Sequence, residues 1–359
     1  MKKTPLYHLH KSLNAKMAPF GGYLMPIQYD SLIKEHLSVR NNLGVFDVSH
    51  MGEFKISGEN AIEFLQYVCS NDISKIPIGK AQYNYFPSES GGIIDDLIVY
   101  KLDDKEYLLV VNASNIEKDW NHLEKNNKAF GAKLKNISDQ TALLSVQGPR
   151  ALEAMQSLTD FKLISLPHYG LAITNFAGFQ NILIATTGYT GAGGIEIFFQ
   201  PNKAEKIWCS ILEAGSAFGI KPVGLGARDS LRTEMGYCLY GNEIDETTSP
   251  IAAGLGWISE PDKRCINFKN ISRQKSNGTE KKLIGFVVEG RAIPRNGYIL
   301  LNKYQNQIGK VTSGTLSPYL EKAIGLGYVK RDFSSPLTEI GVVIRGKVWT
   351  AKIVKTPFI

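Results

Sequence analysis

Several signatures of common protein classes are missing from this 359-residue sequence. No apolar run approaches the roughly 18 residues that a helix needs to cross a bilayer, so we expect no membrane segment. No hydrophobic stretch follows the charged start of the chain, and we therefore expect no signal peptide and a cytoplasmic location. The Walker, dinucleotide-binding and nucleophile-elbow glycine patterns are also missing, which removes the usual support for nucleotide-binding and serine-hydrolase functions.

Cysteine pairs and metal-ligand spacings are missing as well. The four cysteines lie far apart without a Cys-x-x-Cys pair, and we expect them to be small buried hydrophobic residues. The six histidines show no zinc spacing, and His8 and His10 lie in a terminus that we expect to fray, with no carboxylate partner nearby. The sequence therefore predicts no metal site.

The composition that remains is that of an ordinary globular chain with a basic balance. Hydrophobic residues make up 43% and charged residues 21% of the chain, and the formal net charge is +7. This is enough apolar material for at least two cores. The positive charge favours anionic substrates or partners. Among these we expect no nucleic acid.

Two segments share one local pattern. Residues 54–65 and 144–155 each read as an apolar strand, a glycine (Gly58 and Gly148) and an amphipathic helix. This predicts two related α+β units, although two common turns that coincide would give the same pattern. Upstream, residues 31–43 predict a helix that Gly44 closes, followed by a short strand.

The last part of the chain differs in character. A polar stretch, Gln274–Lys282, predicts a linker. Beyond it, six short strand patterns about a dozen residues apart predict a β-barrel or sandwich. We therefore expect a first region over 1–275, whose second α+β lobe spans roughly 50–140, and a C-terminal barrel domain over 276–359.

Two adjacent carboxylates interrupt an apolar strand pattern in the stretch 91–100. Since successive side chains of a strand point to opposite faces, only one of Asp95 and Asp96 faces any given pocket. A short hairpin gives a register that places Asp96 opposite Asn112, with Tyr100 on the same face. A carboxylate in such a run is costly unless it is paired or used, which makes Asp96 a candidate functional acid. An Asp pair that caps the strand entry is the alternative.

The stretch 187–199 is dense in glycine and leads into a strand with one carboxylate, Glu196. Glycines would let the backbone approach a ligand closely. A planar heterocycle with adjacent N–H donors would satisfy this carboxylate, and so would an internal arginine.

A helix pattern over 224–237 places Arg228 in the first turn, where a cation gains nothing from the helix dipole. We expect Arg228 to point at an external or internal anion. Asp229 and Arg232 have the spacing of an ordinary surface ion pair.

Together these segments resemble the glycine cleavage T-protein (aminomethyltransferase) family. No single segment is specific, but the matches run nearly end to end and in order. They are residues 46–52, 91–97, 110–113, 147–149, 187–191, 224–229, 239–241, 291–295 and 312–314.

The resemblance implies an α+β fold, a three-lobed ring in which two ferredoxin-like units surround a central folate pocket, with a C-terminal β-barrel. It implies transfer of an aminomethyl carbon from the lipoyl arm of the H-protein to tetrahydrofolate, a co-substrate, giving methylenetetrahydrofolate and ammonia. It assigns the catalytic carboxylate to Asp96 and folate contacts to Glu196 and Arg228. The residues that it implies around them are Asn112, Tyr83, Tyr189 and Tyr237, and strand parity adds Tyr100.

The chain departs from the family pattern at two places, and two other functions remain open. Ala192-Gly193 stands where acidic residues are usual, and the stretch 263–269 lacks the family's glycine and glutamate. One alternative is a tetrahydrofolate-dependent demethylase of a small methylated donor. The other is a non-catalytic folate-binding factor for iron–sulfur assembly, but Lys263-Arg264-Cys265-Ile266-Asn267 lacks both glycines of that group's Lys-Gly-Cys-Tyr-x-Gly signature.

Overall fold

The computed structural model describes residues 1–260 and 264–359. The chain divides into two compact units, and each unit is built from several stretches of sequence. The first comprises Met1–Leu65, Ile73–Asn84 and Leu97–Arg228, and the second comprises Gln66–Asp72, Tyr85–Asp96 and Asp229–Ile359.

Helices are interspersed among strands over residues 7–277, and the strands of the barrel follow. The α-helices are α1 (Tyr7–Ser12), α2 (Leu32–Asn41), α3 (Ala61–Val68), α4 (Ile116–Asn127), α5 (Ala151–Met155), α6 (Ala204–Gly215), α7 (Leu225–Met235) and α8 (Phe268–Asn277). The strands are β1 (Lys16–Phe20), β2 (Tyr23–Gln28), β3 (Gly44–Asp47), β4 (Gly52–Ser57), β5 (Lys80–Pro87), β6 (Ile93–Asp103), β7 (Glu106–Val111), β8 (Lys133–Asn136), β9 (Ala142–Gln147), β10 (Leu171–Phe176), β11 (Phe179–Ala185), β12 (Gly194–Phe199), β13 (Lys221–Pro222), β14 (Lys281–Val288), β15 (Ile299–Leu301), β16 (Gln307–Leu316), β17 (Ala323–Lys330), β18 (Glu339–Ile344) and β19 (Lys347–Val354). Within the described part of the chain, no helix has the length and apolar character that a membrane span requires.

A six-stranded sheet in the first unit has the order β10-β11-β12-β9-β3-β13. Its neighbours are antiparallel except β3 and β13, which pair in parallel. The apolar face of α6, with Ile207, Trp208 and Ile211 fully buried, packs in the core of this sheet. Burial of such a face, rather than intrinsic helix propensity, stabilises a helix of this length.

A second sheet has the order β5-β6-β7-β4-β8. Its strand β4 buries Phe54, whose ring packs edge-on against Trp120 of α4 with the centroids 5.2 Å apart. The predicted β6–β7 register is confirmed over residues 97–101, which pair with residues 107–111 in that alignment. The position of Asp96 opposite Asn112 lies one step beyond these pairs and stays a prediction.

Both strand–glycine–helix units form as the sequence predicts. Gly58 follows β4 with φ +106°, and Gly148 follows β9 with φ +136°, a region that favours glycine. The amides of Ala61 and Ala151 donate to the carbonyls of these two glycines at 3.1 and 3.0 Å, which starts α3 and α5 in the same way.

The second unit contains the C-terminal barrel. All six predicted strands form, and they close in the order β14-β17-β16-β15-β18-β19, with β19 pairing back to β14. Alternate residues of β14, such as Phe286 and Val288, point into the barrel core. A Cβ at Gly325 of β17 would lie 2.4 Å from the Phe286 ring, so glycine makes room for that ring. The fold is therefore α+β with a closed barrel, and the sandwich alternative is wrong.

Three local predictions are wrong. The helix α2 ends at Asn41, and Gly44 does not close it but begins β3, where a Cβ would lie 2.4 Å from Val223. The predicted linker Gln274–Lys282 is mostly regular structure, because α8 continues to Asn277 and β14 starts at Lys281, which leaves three residues between them. Of the four cysteines, Cys209 is exposed, because it lies on the face of α6 away from the core.

Candidate functional site

The carboxylate of Glu196 is held by two side chains of the first unit. Glu196 is half-buried on β12, and Thr187 donates a hydrogen bond to its Oε2 at 2.5 Å. The Tyr100 hydroxyl is 3.3 Å from the same oxygen and 3.0 Å from the Thr187 hydroxyl. Because the Thr187 hydroxyl donates its hydrogen to Glu196, Tyr100 is the donor in both of its contacts and shares its single hydroxyl hydrogen between Thr187 and Glu196. Within residues 1–260 and 264–359, no donor is bonded to Oε1, which leaves that oxygen for a ligand.

Gln147, at the end of β9, holds the loop that carries Thr187 through two hydrogen bonds. Gln147 Nε2 donates to the Thr187 carbonyl at 3.1 Å, and Thr190 donates to Gln147 Oε1 at 2.9 Å. The nearby glycines serve this packing, because a Cβ at Gly188 or Gly194 would lie 2.1 Å from Gln147 or Val146. The close backbone approach that these two glycines permit is therefore to the protein and not to a ligand.

Arg228 lies in the first turn of α7, half-buried, with its guanidinium 4.6 Å from the centre of the Tyr189 ring. Burial lowers the pKa of Arg228, while Tyr189 and Glu196 act in the opposite direction. Among the described residues no carboxylate lies within ion-pair distance of this guanidinium. The cation is therefore placed beside Tyr189 and in the field of Glu196, and it is available to an anionic ligand.

Glu35 holds the start of α7, and sequence reasoning missed it. Its Oε2 accepts a hydrogen bond from the amide of Gly224 at 2.8 Å, directly before the helix begins. Its Oε1 accepts from the amides of Tyr29 and Asp30 at 2.7 and 3.0 Å. A buried carboxylate with three amide donors fixes the helix end that carries Arg228. An isolated Glu inside the α2 pattern gave no signal of this role.

His50 lies near Arg228 and is fully buried. Its ring packs edge-on against Phe20 at 5.5 Å, and in the described part of the chain its Nδ1 has no hydrogen-bond partner. Burial, together with the positive charge of Arg228, lowers the pKa of His50 to about 4. The imidazole beside Arg228 is therefore neutral at pH 7.

The expectation for His10 is wrong. His10 is fully buried, with Nε2 2.9 Å from Asp47 Oδ2 and Nδ1 2.9 Å from the Tyr29 hydroxyl. Burial acts to raise the pKa of Asp47, but the hydrogen bond and charge of His10 outweigh it and lower this pKa. The partner is distant in sequence, so the chain's local pattern gave no indication of it.

Asp96 belongs to the second unit, at the start of β6. Asp95 is fully buried and Asp96 is half-buried, as alternation along a strand requires. Tyr237, also in the second unit, has 38% of its surface exposed, so it is the least enclosed of the predicted site residues.

Arg232 is not part of an ordinary surface ion pair. Its Nε donates to Asp229 as the spacing predicts, at 2.8 Å, but the side chain is only 1% exposed. Its Nη1 donates to Glu243 at 2.7 Å, and Glu243 is also fully buried. The second partner comes from a loop rather than from the helix, which is why the spacing alone could not identify it.

The remaining predicted residues lie on the second sheet and its edges. Tyr83 is half-buried on β5, and Asn112 is half-buried directly after β7. The first unit thus brings together Tyr100, Glu196, Tyr189 and Arg228 in one electrostatic neighbourhood. The structure leaves the roles of Tyr83, Asn112, Tyr237 and Asp96 as predictions. Among residues 1–260 and 264–359 there is no group of three His, Cys, Asp or Glu side chains placed to hold a metal ion.

A half-buried acceptor, an available guanidinium and two neighbouring tyrosines have the chemistry to bind a planar ligand that has N–H donors and carries negative charge. Two family models match the chain. The GCVT N-terminal domain matches residues 6–263, and the glycine cleavage T-protein C-terminal barrel domain matches residues 281–359.

Relatives match over the whole length. The chain is 53% identical to an aminomethyltransferase of Flavobacterium psychrophilum and 54% identical to one of Bacteroides thetaiotaomicron, with 100% of this chain and 99% of each relative covered. The crystal structure of glycine cleavage system aminomethyltransferase T from Bartonella henselae superimposes with a TM-score of 0.93 at 33% identity, covering 100% of this chain and 98% of that one.

The chain belongs to the glycine cleavage T-protein family. It is an enzyme, and its function is aminomethyl transfer in glycine cleavage. The predicted family and activity are confirmed, which decides against the demethylase and the iron–sulfur assembly factor. Lys263, on which part of the second comparison depended, lies outside the described residues.

Proposed function

We propose that the enzyme transfers the one-carbon unit of an aminomethyl-lipoyl carrier, the H-protein, to tetrahydrofolate and releases ammonia. The observation that carries this proposal is the Glu196 carboxylate, oriented by Thr187 and Tyr100 through one oxygen while the other is left for a ligand. A pterin ring presents adjacent N–H donors, which is the complement of that oxygen.

The residues of the first unit also complement the charge of a folate. Arg228 lacks an ion-pair partner among the described residues, and a folate carries glutamate carboxylates that a guanidinium binds well. The ring of Tyr189 packs against this guanidinium at 4.6 Å and limits where the cation can lie. Glu196 would therefore hold the pterin, and Arg228 would hold an anionic group of the same molecule.

Bound tetrahydrofolate supplies the nucleophilic ring nitrogen that accepts the carbon. The protein supplies orientation, since holding a nucleophile against an incoming carbon is worth several orders of magnitude in rate. We assign to Asp96 the role of catalytic carboxylate: it orients the folate and stabilises the positive charge that develops as ammonia departs, or relays a proton. Tyr83, Asn112 and Tyr237 are proposed as further lining residues.

The carrier protein follows from the chemistry of the donor, an aminomethyl group on a lipoyl sulfur. The net charge of +7 favours association with an acidic carrier and with folate carboxylates. We therefore expect turnover to fall as salt is added, because screening weakens long-range attraction. A cytoplasmic location is part of this proposal.

Ammonia release from aminomethyl-loaded H-protein, with and without tetrahydrofolate, tests the reaction. We expect release to depend on both, and release without tetrahydrofolate at an equal rate would exclude folate as the acceptor. Asp96→Asn keeps the shape and removes the charge, so turnover should fall by about 10²–10⁴-fold while folate binding is retained. Asp104→Asn, in the exposed turn after the same strand, is the control; wild-type turnover in the Asp96 variant would refute the assigned role.

A further inference from the structure

Arg232 of α7 is a fully buried guanidinium with four hydrogen-bond acceptors in the second unit. Beyond Asp229 and Glu243, it donates to the carbonyl of Tyr237 at 3.0 Å and to the hydroxyl of Ser313 at 2.7 Å. A buried ion pair is a weak source of stability, because apolar residues of the same volume often stabilise a protein as well or better. Its presence therefore calls for another physical role.

Glu243 extends the hydrogen bonds of Arg232 into the loop that follows α7. Its Oε2 accepts from the amide of Leu239 at 3.0 Å, and its Oε1 accepts from the Thr312 hydroxyl at 2.6 Å. The Glu243 carbonyl accepts from the Tyr328 hydroxyl at 2.8 Å. Thr312 and Tyr328 lie on the barrel strands β16 and β17, so the loop is fixed between a helix and the barrel.

The same loop holds the residues that lead into the Asp96 strand. The Tyr240 hydroxyl donates to the carbonyl of Ile93 at 3.2 Å, and the Ile93 amide donates to the carbonyl of Asp245 at 2.9 Å. A Cβ at Gly92 would lie 1.9 Å from the Glu246 carbonyl oxygen, so this backbone contact is tight enough to require glycine. Asp96 follows Ile93 by three residues on one strand.

The electrostatics of Cys238, in the middle of the loop, agree with this geometry. Burial raises the pKa of the Cys238 thiol, and the negative charges of Glu243 and Asp96 raise it further. Both carboxylates therefore lie close enough to the loop to act on the same thiol.

We propose that Arg232 and Glu243 are positioning residues for Asp96: the buried pair fixes the loop 237–246, and the loop fixes the backbone that aims the Asp96 carboxylate. This inference rests on the proposed catalytic role of Asp96. Displacement of a reacting group by about 1 Å costs on the order of 10²-fold in rate, which is why such an anchor would be retained.

Steady-state kinetics of Glu243→Gln with aminomethyl-loaded H-protein and tetrahydrofolate test the proposal. We expect kcat to fall by about 10²-fold, with KM for tetrahydrofolate changed by less than about threefold, because Asp96 and not folate binding is disturbed. The matched control is Val342→Ala, which opens a cavity in the barrel core on β18, whereas Glu243 is bonded to β16 and β17. It should lower Tm and leave kcat unchanged; equal kcat losses in both variants would show that the pair is only structural.

A double variant separates this inference from the proposed function. In an Asp96→Asn background, Glu243→Gln should cause no further loss of kcat, since it acts through the residue already removed. Retained turnover in Asp96→Asn alone would overturn the catalytic role proposed for Asp96. A loss in Asp96→Asn with wild-type kcat in Glu243→Gln would overturn the positioning role alone. Should Glu243→Gln not fold, Tyr240→Phe removes only the hydroxyl that reaches Ile93, and an unchanged kcat in that variant would contradict the proposal.

Discussion

Tyr100 and Glu196 lie on different sheets of the first unit, and the Tyr100 hydroxyl donates to Oε2 of Glu196 at 3.3 Å. Tyr100 is on β6 of the five-stranded sheet and Glu196 is on β12 of the six-stranded sheet. The hydrogen bond therefore ties the orientation of a half-buried carboxylate to a fully buried ring, so the carboxylate is oriented before any ligand binds.

Removal of that hydroxyl should weaken folate binding modestly. In Tyr100→Phe the Thr187 hydrogen bond remains, so we expect the Kd for tetrahydrofolate to rise by roughly 2–10-fold, the range of one neutral hydrogen bond. Isothermal titration calorimetry measures this, with Tyr304→Phe as the control because that tyrosine is 72% exposed. Equal affinities in both variants would mean that Tyr100 does not orient the carboxylate.

Removal of the Glu196 charge should weaken binding more. Glu196→Gln keeps the shape but replaces a charged acceptor, so we expect an increase in Kd of roughly 10–150-fold with little change in Tm. Glu205→Gln on the exposed side of α6 removes the same charge where no ligand is expected. Folate binding that responds equally to both substitutions would reduce the effect to net charge.

Glu53 of β4 predicts an unusual pH dependence of stability. It is fully buried, neither carboxylate oxygen has a hydrogen-bond partner within the described residues, and burial raises its pKa well above the ordinary 4.5. Because the folded pKa is raised, its contribution to stability is present below pH 4.5 and lost as pH rises through the folded value.

The substitution Glu53→Gln removes the loss of stability that ionisation of Glu53 causes as pH rises. We expect the Tm of the variant to exceed that of the wild type at pH 8 by several degrees, about 2–4 °C per kcal/mol, and the difference to shrink toward pH 4. Thermal unfolding followed by circular dichroism across pH 4–8 measures it, with Glu205→Gln, an exposed position, as the control. A difference that stays constant with pH would contradict a protonated Glu53.

His50 predicts a pH dependence of stability that is opposite in sign to that of Glu53. Its pKa is about 4 in the folded chain and 6.5 in the unfolded chain, so the unfolded state binds the proton first as pH falls. We expect the wild type to lose roughly 3 kcal/mol of unfolding free energy from this residue between pH 7 and pH 4. In urea unfolding, His50→Gln should lose correspondingly less over that range, whereas the exposed His168→Gln should follow the wild type; parallel pH curves for all three proteins would exclude a neutral His50.

Local patterns predicted the elements whose cause is local. Short strand patterns about a dozen residues apart identified all six barrel strands. Glycines marked the turns after β4 and β9, where φ is positive and few other residues adopt that backbone. The linker prediction failed because polarity at Gln274 and Lys275 reflects contacts of a helix: Gln274 bonds Ser249 and Lys275 bonds the Ser259 carbonyl. A polar helix that binds through its side chains resembles a loop in composition.

Sequence reasoning singled out Asp96 and Glu196 because each charge stood out against apolar neighbours, and their roles stay predictions. Contacts between residues remote in sequence were not predicted. Glu35 reaches Gly224 across 189 positions of sequence, and His10 reaches Asp47 across 37, so no spacing rule connects them.

The sequence by itself determined the family, the strand and helix pattern and the identity of the exceptional charges, because periodicity and desolvation cost act on neighbours along the chain. Only the tertiary structure decided which charges are paired, buried or left for a ligand: it enclosed Arg232 with Glu243 and left Arg228 without a carboxylate at ion-pair distance among the described residues. The reason is physical. Arg228 and Arg232 lie one helical turn apart on α7, but each meets a different dielectric environment and different partners, which residues remote in sequence provide.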